Sequence, residues 1–355
     1  MTAASRIVLA IRLRQLGDVL STLGSLRALK RAAPDSTILF VVDRTYHPLL
    51  RSVPFIDELI PEPPPAAGLR RFAAYADYVE SIRYRRPSCV LDFHSNTRSS
   101  ILSYLSGAPA RVGFDVRVRK ILYTDVVPRA EFRNGAVVPR NSHESALALV
   151  RRGGFSEADG GACGTIPVTA EDRFEGSRVL VRSGVPAAAV ENGDVVGFNP
   201  GNPYPAKAWD PENFGRLARS LREEGKTVVV FWGPGEEEAA ARVVAESGGA
   251  ARMAPSLALE ALPGVLANTR LVVTIDSGLK HLCVAVGVPT VTLFGPTSPH
   301  EWHMGGALDL YVYPAEPCSP CRLKRCPYEV PCMTKISPDA VKARIAEIER
   351  GMSST

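Results

Sequence analysis

Two hydrophobic rhythms alternate along the first half of the chain. Short apolar runs (Ile7 to Ile11 and Ile38 to Val42 unbroken, Cys89 to Phe93 with Asp92 inside it) read as strands covered on both faces, since a strand with one wet face would alternate. Ile56 to Ile60, interrupted by Asp57 and Glu58, reads as a short third strand. Between them, Val19 to Ala32, Leu69 to Arg86, Arg98 to Ser106 and His143 to Arg152 carry apolar residues at helical spacing. Pro34-Asp35 breaks the first helix and Gly107 ends the third. Glu62-Pro63-Pro64-Pro65 reads as a surface loop inside a domain, because the alternation resumes beyond it.

The pattern restarts near Thr169. Helical stretches Ala170 to Ser183, Phe214 to Glu224 and Glu236 to Glu246 interleave with strands Val195 to Asn199, Thr227 to Trp232, Leu271 to Ile275 and Thr290 to Phe294. A further helix opens at Gly278, and Pro338 to Arg350 is the last. Such βαβ repetition predicts an α/β protein with parallel sheets and helices on both faces. We therefore expect two doubly wound, Rossmann-like domains, 1–168 and 169–336, facing across a cleft. The helix in 337–355 is a candidate to return to the first domain.

At 355 residues, 45% hydrophobic and 22% charged, the chain can bury two cores. No apolar run approaches the roughly 18 residues of a spanning helix, and no signal segment precedes Arg6, so a cytoplasmic location is expected. The net charge of +5 is unevenly placed: residues 1–165 balance at +8 and the rest at −3. Arginine supplies 34 of the 42 basic residues, and its planar fork suits phosphate and carboxylate. The first half therefore expects an anionic partner, although a GC-rich genome would also inflate arginine. Of seven cysteines, Cys318, Cys321, Cys326 and Cys332 cluster. They read either as a tetrahedral zinc site or as packed reduced thiols, and not as a catalytic metal. Cys89, Cys163 and Cys283 read as core thiols.

The sharpest chemical signal is Asp276-Ser277-Gly278-Leu279-Lys280-His281, directly after a buried strand. A strand that turns through Asp-Ser-Gly into a helix presents unpaired N–H groups and a positive dipole end, a seat for phosphate. His281 is placed to bond the ligand, or is a satisfied structural histidine. Pro200-Gly201-Asn202-Pro203-Tyr204-Pro205-Ala206-Lys207-Ala208-Trp209 follows Asn199, and would aim Lys207 at a diphosphate or leave it solvated beside a packing tryptophan. Gly233-Pro234-Gly235-Glu236 lacks a following Gly-Lys-Ser/Thr, which excludes a Walker loop. It reads as a strand–helix turn at the donor site with Glu236 as cap. Absence of Gly-x-Gly-x-x-Gly after Ile11 argues against a dinucleotide oxidoreductase. In Arg12-Leu13-Arg14-Gln15-Leu16-Gly17-Asp18-Val19, Gly17 allows close backbone approach and Asp18 is either a helix cap or a general base. Asp92-Phe93-His94-Ser95-Asn96-Thr97-Arg98, with Arg14 and Arg111, is a candidate acceptor surface.

Assembled, these segments resemble the heptosyltransferase family, glycosyltransferase family nine, nearly end to end. The resemblance runs through Leu16-Gly17-Asp18-Val19, Val53 to Pro61, Leu91-Asp92-Phe93, Arg111-Val112-Gly113-Phe114 and Lys207-Ala208-Trp209-Asp210. Its most specific part is Asp276-Ser277-Gly278 with His281, followed by Gly287-Val288-Pro289-Thr290 and Leu293-Phe294-Gly295-Pro296-Thr297. The resemblance implies a GT-B architecture and inverting transfer of heptose from an ADP-activated donor to a lipopolysaccharide inner-core acceptor, at the inner face of the inner membrane. It implies Asp18 as base and Lys207 on the donor phosphates, with Asp276 at the donor sugar. Gly17, Asn199, Pro200, Trp209, Gly233, Glu236, Ser277, Gly278 and His281 fall in the expected donor surroundings, and no cofactor or metal is implied. Arg14-Gln15, Ile275 and Trp232-Gly233 depart from the family's usual Ser pair, Asn and Gly pair. Besides a glycosyltransferase using a different nucleotide sugar, two rivals remain: a nucleotide-sugar epimerase, which would need no acceptor, and a nucleic-acid or phospholipid-binding module. The second lacks an aromatic-interleaved basic stripe, and no nucleic-acid partner is expected.

Overall fold

The computed structural model describes residues 6–63, 68–133, 136–161, 165–306 and 308–353. Pro64, Pro65 and Cys163 lie outside the described residues. Two compact units divide the chain, Met1–Thr165 and Ile166–Thr355.

In the first unit, β1 (Ile7–Ile11), α1 (Leu16–Ala32), β2 (Thr37–Val42) and β3 (Glu58–Pro61) are followed by α2 (Gly68–Tyr84) and β4 (Cys89–Asp92). Then come α3 (Thr97–Leu105), β5 (Ala110–Phe114), β6 (Asp125–Val127), a hairpin of β7 (Ala130–Arg133) and β8 (Ala136–Pro139), and α4 (Ser142–Arg152). The six-stranded sheet is parallel, in the order β3-β2-β1-β4-β5-β6. β1 is buried at Val8 through Ile11 because it lies centrally under helices on both faces.

The second unit repeats the plan. α5 (Ala170–Arg182), β9 (Val195–Asn199), α6 (Pro211–Glu223), β10 (Thr227–Val230), α7 (Glu237–Glu246) and β11 (Ala251–Met253) form its first part. α8 (Leu262–Leu266), β12 (Leu271–Ile275), α9 (Gly278–Val286), β13 (Thr290–Leu293), β14 (Asp309–Val312) and α10 (Pro338–Ser353) complete it. Its sheet order is β11-β10-β9-β12-β13-β14, again parallel.

The central strands match the sequence pattern closely, whereas β5, β6, β11 and β14 were missed. Strands toward the sheet edges are short or part-covered, so they carry no unbroken apolar run: β5 begins Ala-Arg-Val-Gly, and β14 begins with Asp309. α10 belongs to the second unit, packing on α6 and β14 and burying Val341, Ile345 and Ile348 in that unit's core.

Candidate active site

In a doubly wound sheet the ligand crevice opens at the carboxyl edge where strand order reverses. That point lies between β1 and β4 in the first unit and between β9 and β12 in the second. The motif residues mostly sit on the four loops that leave these strands.

In the first unit, β1 leads through Arg12 to Gln15 into α1. Gln15 holds the cap position, in left-handed conformation (φ 66°), without a side-chain cap bond. Asp18 is therefore the third residue of the helix, not its cap, with Gly17 beside it in the first turn. The Asp18 carboxylate pairs with the Arg12 guanidinium, which also donates to the Phe93 carbonyl at the end of β4. Arg12 thus ties the β1 and β4 loops together beneath the carboxylate. The sequence reading quoted Arg12 without giving it a role; its signal was simply its position at the end of β1.

His94 follows on the β4 loop. Its Nδ1 accepts from the Leu13 N–H at 3.2 Å, which leaves the ring proton on Nε2. Burial, with Arg12, Arg129 and Arg14 nearby, holds its pKa down to about 4, so the ring is neutral at pH 7. Beneath it, the fully buried Asp92 accepts from the N–H groups of His94 (3.0 Å) and Ser95 (2.8 Å) and from the Tyr123 hydroxyl (2.6 Å). Burial raises the Asp92 carboxyl, against those hydrogen bonds. Arg98 pairs at 2.8 Å with the buried Glu62, whose carbonyl accepts from Arg44 at 2.7 Å, and Arg14 is exposed. Arg12, Arg14, His94 and Arg98 thus gather at one edge.

Arg111 does not join them. It sits near the amino end of β5, and its guanidinium donates to the carbonyls of Leu122 (3.0 Å) and Ala108 (2.7 Å). Its place in the predicted acceptor set is corrected to that of a brace.

In the second unit, Lys207 Nζ donates to Asp276 Oδ2 at 2.8 Å and to the Asp276 carbonyl at 2.9 Å. Thr297 donates to the same Oδ2 at 2.8 Å, and Asn202 to the same carbonyl at 3.3 Å. Burial alone would raise the Asp276 carboxyl, but Lys207 and Lys280 hold it below the usual carboxylate range. Ser277 is the cap residue of α9, yet its hydroxyl donates to Asn199 Oδ1 at 2.9 Å and makes no cap bond. Thr274 donates to the same Asn199 oxygen at 3.2 Å. The first turn of α9, from Gly278, is left without a side-chain cap, so its N–H donors and dipole face outward from the strand edge.

His281 is buried against Trp302, ring centroids 6.1 Å apart, with no hydrogen-bond partner on Nδ1. Burial, then Lys280, pulls its pKa down to about 3, so it brings no positive charge to the seat. Lys280, also buried, donates to the Trp302 carbonyl and lies 5.6 Å from the Phe294 ring centre.

Two donor-site expectations are corrected. Trp209 is 2% exposed, its edge packed on Phe214 at 4.6 Å and its Nε1 donating to the Ile336 carbonyl at 2.9 Å; it is core. Glu236 occupies the cap position of α7, but its side chain turns back to accept from the Gly233 N–H at 3.0 Å instead of capping the helix. Gly201 packs so closely on Glu236 that a Cβ there would meet Oε2 at 2.2 Å. Pro200 and Gly201 are buried, which stiffens the loop carrying Lys207.

The clustered cysteines are free thiols, with Cys332 buried and Cys318 exposed. Burial, followed by the other three thiols, pushes Cys332 up to about 11. Among the described residues, no three His, Cys, Asp or Glu side chains converge as a metal site.

Residues 77–330 match Glycosyltransferase family 9 (heptosyltransferase). A relative from Pseudomonas aeruginosa, lipopolysaccharide heptosyltransferase 1, is 37% identical over 133 residues; that alignment spans 37% of this chain and 37% of the relative. The solved glycosyl transferase family 9 protein of Veillonella parvula superposes with a TM-score of 0.83 at 22% identity, covering 99% of both chains. An Escherichia coli heptosyltransferase solved with ADP gives a TM-score of 0.68 at 22% identity, covering 98% of this chain and 100% of the other. The chain belongs to glycosyltransferase family 9, the heptosyltransferase family, and is a glycosyltransferase of GT-B type.

Proposed function

We propose that the enzyme transfers heptose from ADP-heptose to the inner core of lipopolysaccharide, with inversion, at the cytoplasmic face of the inner membrane. The acceptor hydroxyl oxygen bonds to the anomeric carbon while that carbon's bond to the diphosphate oxygen breaks. The hydroxyl proton passes to Asp18, and ADP leaves with the bonding pair.

The observation that carries this reading is the uncapped N-terminus of α9 set beside Lys207. Lys207 has three N–H donors and Asp276 takes two of them, leaving one for a phosphate oxygen. Asp276, held in place by Lys207 and Thr297, then suits a sugar hydroxyl. Aiming such donors at developing charge is typically worth about 3 kcal/mol each. ADP as the leaving group is supported by the E. coli neighbour solved with ADP, and the lipopolysaccharide acceptor by the P. aeruginosa relative. Arg14 and Arg98 suit the anionic groups of such a glycolipid.

The test is ADP release from ADP-heptose with and without a heptose-free core acceptor. Release that requires acceptor, with a new glycosidic product of inverted configuration, supports the proposal. Conversion of the nucleotide sugar alone would make the protein an epimerase, and turnover of only UDP- or GDP-sugars would replace the donor.

A further inference from the structure

The first unit carries an exposed apolar face that the site chemistry does not use. On α3, Ile101 (40% exposed), Tyr104 (55%) and Leu105 (38%) lie at i, i+3 and i+4, so they share one side of the helix. The opposite side is buried through Ser99, Ser100, Leu102 and Ser103. Against α3 packs the 3-10 segment Arg117–Leu122, which turns Val118 (77%) and Ile121 (74%) outward.

Arg111 holds the two elements together. It donates to the Leu122 carbonyl at the end of the 3-10 segment, and its guanidinium carbon lies 5.7 Å from the centre of the Tyr104 ring. The Ser100–Tyr123 hydroxyl contact at 2.8 Å adds a second clamp. These five apolar side chains therefore belong to one braced surface.

Its charge is mostly positive. Arg117 and Lys120 are exposed beside the apolar pair along the 3-10 segment, with Arg119 part-covered between them, and among the described residues Lys120 pairs with Asp115 at 3.4 Å. Apolar tips flanked by cations match an anionic bilayer, where the tips enter the acyl boundary and the cations meet headgroup phosphates. The surface also flanks the proposed catalytic edge: α3 begins directly after the His94–Asn96 turn, with Arg98 in its first turn, and the 3-10 segment follows the carboxyl end of β5. No described helix is long and apolar enough to cross a membrane, so attachment by this face would be peripheral.

We infer that Ile101, Tyr104, Leu105, Val118 and Ile121, with Arg117, Arg119 and Lys120, form a docking surface for an anionic lipid bilayer. The inference deepens the proposed function, resting on its reading of the acceptor as a membrane-borne glycolipid. Its test needs neither substrate, so the two fail separately.

Purified protein is co-sedimented with vesicles of phosphatidylcholine alone and of phosphatidylcholine with phosphatidylglycerol. Binding is expected to the anionic vesicles and to fall with salt. Val118→Glu/Ile121→Glu should lower the partition coefficient at least tenfold, and Arg117→Gln/Lys120→Gln by roughly five-fold per charge. Thermal unfolding and ADP affinity of these variants should stay as in the parent. Partitioning that ignores both pairs of substitutions, or that is equal on neutral vesicles, overturns the inference. So does a dimer in light scattering that Val118→Glu/Ile121→Glu dissociates, which would make the face a contact between copies.

Discussion

Lys207 and Asp276 form a nearly buried ion pair, 15% and 7% exposed at the side chain, with the ammonium bonded to both the carboxylate and the carbonyl of its partner. The pair joins the loop after β9 to the loop after β12, the two that flank the strand-order reversal. The lysine proposed to bind the donor is therefore also a structural strut.

Removing the cation takes the ion-pair partner from a buried carboxylate that Lys280 and Thr297 compensate only in part, so Lys207→Met should cost about 3 kcal/mol of stability. Lys207→Met/Asp276→Asn should recover most of that in urea unfolding. It should not recover ADP affinity by calorimetry. Recovery of both would reduce the lysine to a strut.

Asp18→Asn keeps the shape of the first turn of α1 while removing the proposed base. Turnover should fall about 10²–10⁴-fold with ADP affinity unchanged. Equal stability of the variant in thermal melts would agree with the absence of a capping role at the third helical position. Lost donor binding with turnover intact would instead remove Asp18 from the chemistry.

His281 sets a pH dependence of stability. Its ring resists protonation down to about 3 when folded, whereas the unfolded chain takes the proton near 6.5. The unfolded state thus binds more protons below that value, and stability is lost as pH falls from about 6.5 toward 3. His94 acts in the same direction, down to about 4. The loss from His281 is on the order of a few kcal/mol. The drop in Tm between pH 7 and pH 4.5 should shrink in His281→Asn.

Trp209→Ala opens a cavity in the second core and orphans the Ile336 carbonyl, costing about 3–5 kcal/mol. ADP affinity, measured where the variant is still folded, should match the parent. A selective loss of ADP binding at intact stability would return Trp209 to the donor site.

Asp276 and Ser277 drew notice in the sequence because they stand directly after a buried central strand, where an apolar run stops abruptly, and Lys207 because it lies on the Pro/Gly-rich loop that follows another. It misjudged Trp209 and Arg111 for a related reason. Both lie in motif segments, but a motif does not say which way a side chain turns. Trp209 turns into the core beside Phe214, and Arg111 reaches carbonyls at the opposite end of its strand. The C-terminal helix was equally illegible, because Val341, Ile345 and Ile348 would suit any apolar surface offered to them.

Apolar runs and helical spacing by themselves determined two α/β units, the central strands of both sheets and the loops that leave them. The pairing of strands decided the rest. Only hydrogen bonding between β1 and β4, and between β9 and β12, brings Arg12 onto the Phe93 carbonyl and Asn199 onto Ser277. The physical reason is range: periodicity reports the neighbours a residue has along its own element, and strand order chooses the neighbours it meets across the sheet.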